Sequence, residues 1–518
     1  MPPSPRHRSD PRLGNPDPSG ASVGGRSAVP RRAVLLGVAA GAGGVVGATG
    51  LARVAGSEVP SRRQAPGLVP FSYDTSAFRL DRLPPQRRPY ARTAAVPVQD
   101  RELHDASGVR LFRWKGTPHD HPVAQAQYGL ALLESHRLTR KPEYLRRAGL
   151  QAQRLVTRRV LREGAWFYPY AFGLPVHGNG EQLSAPWYSM MAQGQALSLF
   201  ARLAEVTGQA RWRTAAAATF AGYLLKPRVG APWGVYVRDG LLWLEEYPST
   251  SGVGGDLTYN GHVFSLFGLY DYTILTGDPR AAALTRGALV TAQEAMPRIR
   301  RPGRRSRYCA RHDSDAGKYH AIHIDQHLLM LDITGDPAFA RIADQLYADA
   351  PTPSAADRPL ARTPEQVYLA AGEHEAVTFD KEGGVPARRR VRLARSTTQP
   401  LGRTGRGRVP GQPQLWYELG DGPLAGWSVA ELPGVRHQVG LYAAMAYPRR
   451  RPATVRGDRP LALAVTEEGG VRSTGTTLTA GTDVTVDARG VIDGVEHLRL
   501  ASGPWRGSWV VTPSLAVR

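Results

Sequence analysis

Residues 122–136 have the sequence PVAQAQYGLALLESH, and this stretch is the clearest indication of the fold. The side chains that follow the i, i+3, i+4, i+7 spacing of one helix face, with two that widen the stripe, are Val123, Ala126, Gln127, Leu130, Ala131 and Leu132. Comparable segments cover 144–158, 186–206, 211–225, 258–276, 280–296, 319–333 and 337–348. Short turns such as Thr207-Gly208 and 276–279 separate them, so the helices come in sequential pairs. This organisation predicts an α/α toroid whose active site lies on loops at the rim of a central cavity.

The composition changes on both sides of the predicted helical domain, 116–350. Residues 1–55 are predicted to be a disordered tail and a targeting segment, and 56–115 an extended arm or small hairpin. A linker rich in Pro, Ala and Ser at 351–366 precedes glycine-rich segments with strand-like alternation. The predicted fold is therefore mainly α, with an incomplete (α/α) toroid domain followed by two small β-rich repeat modules, 367–435 and 436–518.

Two short internal repeats support the prediction of tandem β modules. Glu382-Gly383-Gly384-Val385 recurs as 468–471, and the Gly-Pro-Trp-rich stretch 421–427 is echoed at 502–509. The modules contain four tryptophans that could stack on sugar rings or pack in a core, namely Trp416, Trp427, Trp505 and Trp509. Attachment to cell-wall carbohydrate is one hypothesis for the modules.

The N-terminal region predicts export. Arg31-Arg32 precede a weakly apolar, glycine-rich run at 33–51, a pattern typical of a twin-arginine-type signal. A run of 19 residues can also just span a bilayer, so an uncleaved membrane anchor is the alternative. The protein is expected to be extracellular or associated with the cell envelope.

Positive charge is the most pronounced compositional feature. The formal net charge is +22, and a dense basic loop contains Arg298, Arg300, Arg301, Arg304, Arg305, Arg307 and Arg311. Such a field favours an acidic polysaccharide, an anionic lipid or a nucleic acid, but no compact nucleic-acid-binding signature is present. A phenol among those cations, such as Tyr308, is expected to lose its proton more readily; the alternative is a solvated basic loop. The single cysteine, Cys309, excludes an internal disulfide and any multi-cysteine zinc cluster.

Five sets of motifs in the helical domain resemble the C-terminal catalytic domain of the D-glucuronyl C5-epimerases, which convert glucuronate to iduronate within heparan-type chains. The motifs are Ala126–Leu130; Pro186–Ala196; Glu245–Pro248 with Asn260-Gly261; Ser265–Asp271; and Tyr308 with Arg311-His312, Tyr319-His320 and His323-Ile324. They occur in consistent order over about 118–335. The β modules lie outside this resemblance.

The resemblance implies a catalytic Glu-Tyr pair and two later tyrosines, which fall on Glu246, Tyr247, Tyr308 and Tyr319. C5 inversion needs acid–base groups on both faces of the sugar ring, and we expect Glu246 and Tyr319 to fill those places. Tyr308 is expected to lend a proton or a hydrogen bond. The expected substrate-binding residues are Tyr128, Trp187, Tyr188, Gln193, Gln195, Asn260, Arg311, His320 and His323.

Three functions remain open at this point. The first is a glucuronate 5-epimerase acting on an acidic polymer, the second a uronate lyase on the same scaffold, and the third a non-catalytic polysaccharide-binding protein. His320, His323 and His327 have the spacing of one helix face, but no acidic or sulfur ligand accompanies them, so no metal is expected there. No cofactor is predicted; the resemblance allows a structural calcium and the sequence leaves a homodimer open.

Overall fold

A computed structural model describes the fold. It describes residues 62–63, 67–176, 181–249, 254–352, 366–380, 382–395, 397–409, 411–412, 414–438, 441–457, 461–465, 471–492 and 495–518. The predicted export signal and most of the predicted linker lie outside these residues. Among the described residues, no helix is both long enough and apolar enough to cross a membrane.

The first part of the described chain is mainly helical. Its helices are α1 (Pro122–Thr139), α2 (Pro142–Arg158), α3 (Met190–Thr207), α4 (Ala210–Ala221), α5 (Tyr259–Thr276), α6 (Pro279–Glu294), α7 (Met296–Ile299), α8 (Tyr319–Thr334) and α9 (Pro337–Asp349). Their ends follow local chemistry: Asp278 caps α6 by accepting from the Arg280 N–H, and Gly208 ends α3 with a φ of 69°.

The helices pack as antiparallel hairpins in sequence order. Each of α1, α3, α5 and α8 contacts the helix that follows it in its hairpin, and α1–α3, α3–α5 and α5–α8 are also neighbours. Between α3 and α5 the contact is close, because a Cβ on Gly194 would lie 2.5 Å from the Ser265 Cα. The absence of a side chain at Gly194 thus allows the two helices to approach closely. This arc of hairpins is the arrangement expected in an incomplete α/α toroid.

Short β-hairpins interrupt the helical part. The strands are β1 (Arg62–Arg63), β2 (Asp74–Thr75), β3 (Phe112–Trp114), β4 (Thr117–His119), β5 (Val160–Arg162), β6 (Ala165–Phe167), β7 (Leu174–Val176), β8 (Glu181–Leu183), β9 (Val235–Arg238) and β10 (Leu241–Leu244). Two predicted helices were too long. Residues 186–189 precede α3, where Trp187 pairs with Tyr170, and 222–224 form a 3₁₀ turn. The hairpins β5–β10 were not predicted, because strands of three or four residues are too short to show alternation.

Two seven-stranded sheets form the C-terminal part. The first contains β11 (Gln366–Leu369), β12 (Gly372–Thr378), β13 (Ala387–Leu393), β14 (Thr397–Arg408), β15 (Leu415–Leu419), β16 (Ser428–Ala430) and β17 (Val435–Gln438). The second contains β18 (Leu441–Val455), β19 (Leu461–Val465), β20 (Val471–Thr477), β21 (Asp483–Ile492), β22 (Val495–Leu500), β23 (Trp509–Val511) and β24 (Leu515–Val517). The prediction of a helical part followed by a β-rich part is confirmed.

The two sheets have the same topology. Their strand orders are β13-β12-β16-β15-β14-β11-β17 and β20-β19-β23-β22-β21-β18-β24, so each strand of the first sheet corresponds to the strand seven places later. The repeated stretches 421–427 and 502–509 occupy equivalent connections, before β16 and before β23. The second sheet packs on the helical part through β18 and α8, and its apolar residues belong to the same core cluster as the helices. The first sheet has a separate core.

Candidate active site

The candidate site begins where β10 ends. Glu245 and Glu246 follow this strand, and backbone hydrogen bonds link Glu245 to Gly234 at 2.7 Å and to Met190, the first residue of α3, at 2.9 Å. Both carboxylates are buried, Glu245 completely and Glu246 with 7% exposure. The end of a short hairpin thus fixes two acidic side chains against the start of a core helix.

Glu246 lies within a group of phenols. Tyr247 and Tyr308 make hydrogen bonds to its side chain, and Tyr170 and Tyr319 are close enough to feel its charge. Burial raises the pKa of the Glu246 carboxyl to about 8, and the negative charge of Asp256 adds to the rise. Its Oε2 atom is buried and has no hydrogen-bond partner among the described residues. This carboxyl can therefore exchange a proton near neutral pH.

Pairing between two loops places Tyr308 beside Glu246. Backbone hydrogen bonds connect Tyr259 N to the Tyr308 carbonyl at 3.1 Å and Ala310 N to the Leu257 carbonyl at 3.0 Å. The Tyr308 hydroxyl lies 3.2 Å from the Tyr247 hydroxyl. Tyr319 is the first residue of α8, as predicted, and its ring centroid is 4.9 Å from that of Tyr308. All four predicted catalytic residues thus lie in one cluster, here called the Glu-Tyr cluster, in which Glu246 is buried and the three tyrosines are half-buried.

The tyrosines are harder to ionise than the sequence suggested. Burial raises the pKa of Tyr247, Tyr308 and Tyr319 above the ordinary value, and the charge of Glu246 raises each of them further. The expectation that the basic loop makes Tyr308 more acidic is wrong. Arginines of that loop instead pair with aspartates; the pairs are Arg300–Asp349, Arg301–Asp315, Arg305–Asp315 and Arg307–Asp313.

One predicted substrate-binding residue, Trp187, packs beside the Glu-Tyr cluster, and its neighbour Tyr188 packs elsewhere. The Trp187 ring is buried, stacks on Tyr170 at 3.7 Å between centroids and lies 6.0 Å from the Tyr247 ring. Its indole N–H donates to the Phe172 carbonyl at 2.8 Å. The half-buried Tyr188 packs edge-on to Phe167. Trp187 therefore packs between Tyr170 and the side of the site that carries Tyr247, and its fixed ring limits the orientations of the Tyr247 ring.

His320 and His323 hold the loop that carries Tyr308. His320 Nδ1 accepts from the Ser306 N–H at 3.0 Å, and its Nε2 faces the Leu346 carbonyl at the same distance, so Nε2 carries the proton. His323 Nδ1 lies 2.8 Å from the Ser306 hydroxyl. Both histidines are buried, and burial lowers the pKa of each imidazole. Their observed contacts are those of positioning residues.

The glutamines on α3 and Tyr128 occupy core positions. Gln193 uses both of its N–H donors, on the carbonyls of Trp166 at 2.6 Å and Thr219 at 2.8 Å. Gln195 is fully buried. The Tyr128 hydroxyl donates to the Val98 carbonyl at 2.7 Å and ties the preceding segment to α1. The structure thus shows packing roles for Gln193 and Tyr128.

Asn260 and Arg311 offer groups suited to a ligand. Asn260 adjoins Gly261, where a Cβ would meet the Glu246 carboxyl, and the Asn260 amide has no hydrogen-bond partner among the described residues. The Arg311 side chain is 48% exposed and lies 3.5 Å from Glu181 and 3.7 Å from Asp256. A guanidinium held this loosely can rotate toward an incoming carboxylate.

Three residues near the site were not singled out from the sequence as members of one group. Donor atoms of Glu181, Asp256 and His312 lie within 4.8 Å of one another, which is a spacing a metal ion could use. Arg311 already pairs with both carboxylates, so a cation there would compete with its guanidinium. Glu181 begins strand β8 and Asp256 lies in the loop before α5, neither within a motif, and only the tertiary fold brings them together. The arrangement is that of a charge network around Arg311.

The histidine triplet on α8 is engaged by protein groups. His320 and His323 bind Ser306, and His327 Nε2 lies 2.7 Å from the Tyr259 hydroxyl. Cys309 is buried, and burial raises the pKa of its thiol to about 11, which makes it a poor nucleophile.

Comparisons with known proteins agree with the motifs. Residues 162–347 match the family described as D-glucuronyl C5-epimerase C-terminus. The D-glucuronyl C5-epimerase of Caenorhabditis elegans is 33% identical over 89 residues, which are 17% of this chain and 14% of that protein. The chain thus spans about a seventh of the length of this curated relative.

Among solved structures, two cellobiose 2-epimerases are similar at a low level. The enzyme from Spirochaeta thermophila has a TM-score of 0.37 and 19% identity, and the match covers 48% of this chain and 64% of that one. The enzyme from Bacillus thermoamylovorans has a TM-score of 0.36 and 14% identity, and the match covers 48% of this chain and 65% of that one.

Proposed function

We propose that this chain, whose residues 162–347 match the family described as D-glucuronyl C5-epimerase C-terminus, is a polysaccharide glucuronate 5-epimerase. It would invert C5 of D-glucuronate to L-iduronate within an acidic polymer, in an incomplete α/α toroid. The observation that supports this most directly is the Glu-Tyr cluster. In it the buried Glu246 carboxyl, whose pKa is raised, makes hydrogen bonds with Tyr247 and Tyr308 and interacts electrostatically with Tyr319.

Epimerisation begins with removal of the C5 proton, which is acidified by the adjacent carboxylate. Glu246 is the proposed base. The tyrosines have pKa values raised above their ordinary range, so their phenolate forms are disfavoured. A carboxyl with a pKa of about 8 is by contrast partly ionised at neutral pH, and it is a stronger base than an exposed carboxylate.

The proton returned to the opposite face must come from a neutral acid. Tyr319 is the proposed donor, since its raised pKa keeps the phenol protonated until charge develops on the substrate. Tyr308 contacts both partners: it makes a hydrogen bond to Glu246, and its ring lies against Tyr319. It is therefore the proposed route by which the proton taken up by Glu246 returns to Tyr319.

The charge that develops on the uronate carboxylate needs a partner. Arg311 can bind it bidentately, and the Asn260 amide can donate to the same group or to a ring hydroxyl. Both belong to the predicted binding set, and both present groups that the described protein does not fully use.

The test is incubation of the protein with heparosan and other glucuronans in D₂O, read by NMR at C5. Glu246→Gln and Tyr319→Phe should each lose about 100-fold or more of the exchange rate while substrate still binds. The matched controls are Glu163→Gln, in the turn between β5 and β6, and Tyr272→Phe, on α5, and both should retain activity. An unchanged rate in both site variants contradicts the assigned roles.

Two other functions predict different readouts. A lyase would produce an unsaturated sugar and a rise in ultraviolet absorbance, whereas an epimerase produces none. A non-catalytic binding protein would incorporate no deuterium at C5. The ratio of iduronate to glucuronate in the recovered polymer completes the distinction.

The proposal includes export and an acidic polysaccharide partner. The basis for export is the Arg31-Arg32 pair ahead of the apolar run at 33–51, which lies outside the described residues. Replacing both arginines by lysine should leave the protein in the cytoplasm, whereas the unmodified chain should appear in the envelope or medium. Equal distribution of the two in cell fractions would refute this signal.

A further inference from the structure

The first β sheet has one face that its own core does not use. Cross-strand pairs assign side chains to faces, because directly opposed residues point to the same side. The pairs Ala376–Val429 and Tyr417–Val429 form the inner face, and all three residues are buried. The pairs Val377–Arg388 and Trp416–Ala430 belong to the opposite face, here called the outer face.

The outer face carries a cavity of about 240 Å³. Val377 and Ala430 line its floor, and the half-buried Trp416 lines it as well. The Trp416 indole N–H has no hydrogen-bond partner among the described residues, and the ring packs edge-on to Phe379 at 4.9 Å between centroids. An aromatic wall beside a small cavity suits the apolar face of a sugar ring.

Arginines follow the edge of the same face. Strand β13 contains four arginines in seven residues, and three of them, Arg388, Arg390 and Arg392, share the outer face with Trp416. All three are exposed, and Arg388 pairs with Glu375 at 2.6 Å. The strand register places Glu375 opposite Arg390 and Glu373 opposite Arg392 on the same face, so three arginines face two glutamates. Arg390 and Arg392 form no salt bridge with any residue that the structure describes. Guanidinium groups two residues apart along a strand can bind successive anionic groups of a chain.

The second sheet lacks these features at the equivalent place. Its corresponding strand, β20, contains a single arginine, Arg472. The tryptophan on its equivalent face, Trp509, is 1% exposed and packs with Ala444, Ala488 and Ile492 in a small core of its own. One copy of the duplicated sheet therefore docks on the helical part, and the other exposes an aromatic surface on which arginines outnumber glutamates by three to two.

We infer that the outer face of the first sheet binds a polyuronate chain. In this inference Trp416 stacks on one sugar, and Arg390 and Arg392 bind the carboxylates of neighbouring sugars in the same polymer. The inference extends the proposed function, since the same class of polymer would occupy both sites. It gives the protein a second binding site for the polymer, separate from the Glu-Tyr cluster.

The test measures binding of the full chain to immobilised heparosan and, separately, to alginate, at low ionic strength. Arg390→Ala/Arg392→Ala should weaken binding to at least one of these polyuronates about tenfold and reduce its salt dependence. The matched control is Arg472→Ala/Arg506→Ala, which removes two exposed arginines from the second module and should change affinity less than about twofold. Trp416→Ala should weaken the same binding, with circular dichroism to verify folding.

Equal affinity of the two double variants for both polymers overturns the inference. So does binding of neutral dextran or single-stranded DNA with the same dependence on Arg390 and Arg392. C5 exchange in D₂O is measured on the same samples. Polymer binding that depends on these arginines without any exchange in the unmodified protein would refute the epimerase proposal and leave the binding site standing. Exchange at C5 together with polymer binding that does not depend on these arginines would refute the second binding site and leave the epimerase proposal standing.

Discussion

At the scale of single residues, burial decides the chemistry of the candidate site. Glu246 is an ordinary glutamate in the sequence, and its motif identified it. The carboxyl becomes a base near neutrality because it is desolvated and close to Asp256. The sequence suggested cationic activation of the phenols, but the basic loop pairs with aspartates and the tyrosines remain neutral. Residue types could be predicted from the motifs; the electrostatic environment could not.

The pH dependence of exchange follows from this. Glu246 must lose its proton to act as a base, so kcat/KM should rise about tenfold per pH unit below about 8 and level off above it. Asp256→Asn removes a charge that raises this pKa, so the midpoint should move to lower pH. A profile with its midpoint near 4.5 would show that Glu246 is solvated or is not the base.

Glu245 gives a separate prediction for stability. Burial raises its pKa to about 8, above the value of an unfolded chain, so its favourable contribution is complete below about pH 4.5 and is lost as pH rises through 8. Glu245→Gln removes the stability loss that comes from ionising this buried carboxyl. The amide oxygen of the glutamine can still accept the hydrogen bond from the Leu257 N–H. The variant should gain stability on the order of 3 kcal/mol relative to the unmodified protein between pH 5 and 9.

Urea denaturation at the two pH values measures that gain. Glu163→Gln, at an exposed carboxylate in the turn between β5 and β6, is the control that separates the effect from general loss of charge. A stability difference independent of pH would contradict the raised pKa of Glu245.

At the scale of elements, the contact between α3 and α5 sets the geometry behind the site. Helix existence and most helix ends follow from sequence, because apolar spacing and capping residues such as Asp278 and Asp336 act locally. The hairpins that deliver Glu246 and Glu181 could not be predicted, since strands of three or four residues are stabilised by neighbours distant in sequence. At Gly194 on α3, an added Cβ would meet the α5 backbone.

Gly194→Ala should therefore destabilise the fold by about 2 to 3 kcal/mol, because the clash is with backbone that cannot move alone. The matched control is Gly149→Ala on α2, where an added Cβ meets nothing within 4 Å. That change should stabilise by about 0.5 to 1 kcal/mol through helix propensity. Chemical denaturation of both variants tests the prediction, and equal effects would exclude a tight α3–α5 contact.

At the scale of the whole molecule, one aspartate on a helix makes a hydrogen bond and two salt bridges to the second sheet. Asp344 on α9 accepts from the Tyr447 hydroxyl at 2.5 Å and pairs with Arg451 at 2.5 Å and Arg489 at 3.1 Å. Both arginines are nearly buried, so they depend on this carboxylate for compensation.

Asp344→Ala should cost about 3 kcal/mol or more and separate the unfolding of the β part from that of the helical part. Asp483→Ala, which removes an exposed ion pair with Arg518, should change stability by less than about 1 kcal/mol. Limited proteolysis followed by mass spectrometry locates the region that opens. A single cooperative transition in Asp344→Ala would show that the sheet does not rely on this contact.

The sequence by itself determined the helical hairpins, the duplicated β region and the motifs that contain the Glu-Tyr cluster, since all of these depend on local spacing and residue type. Only the tertiary structure decided the ionisation of Glu246, the pairing of the basic loop and the different surfaces of the two sheets. The desolvation of a carboxyl, the pairing of charges and the burial of a sheet face all depend on contacts between residues that are far apart in the sequence. The spacing of residues along the chain does not reveal those contacts.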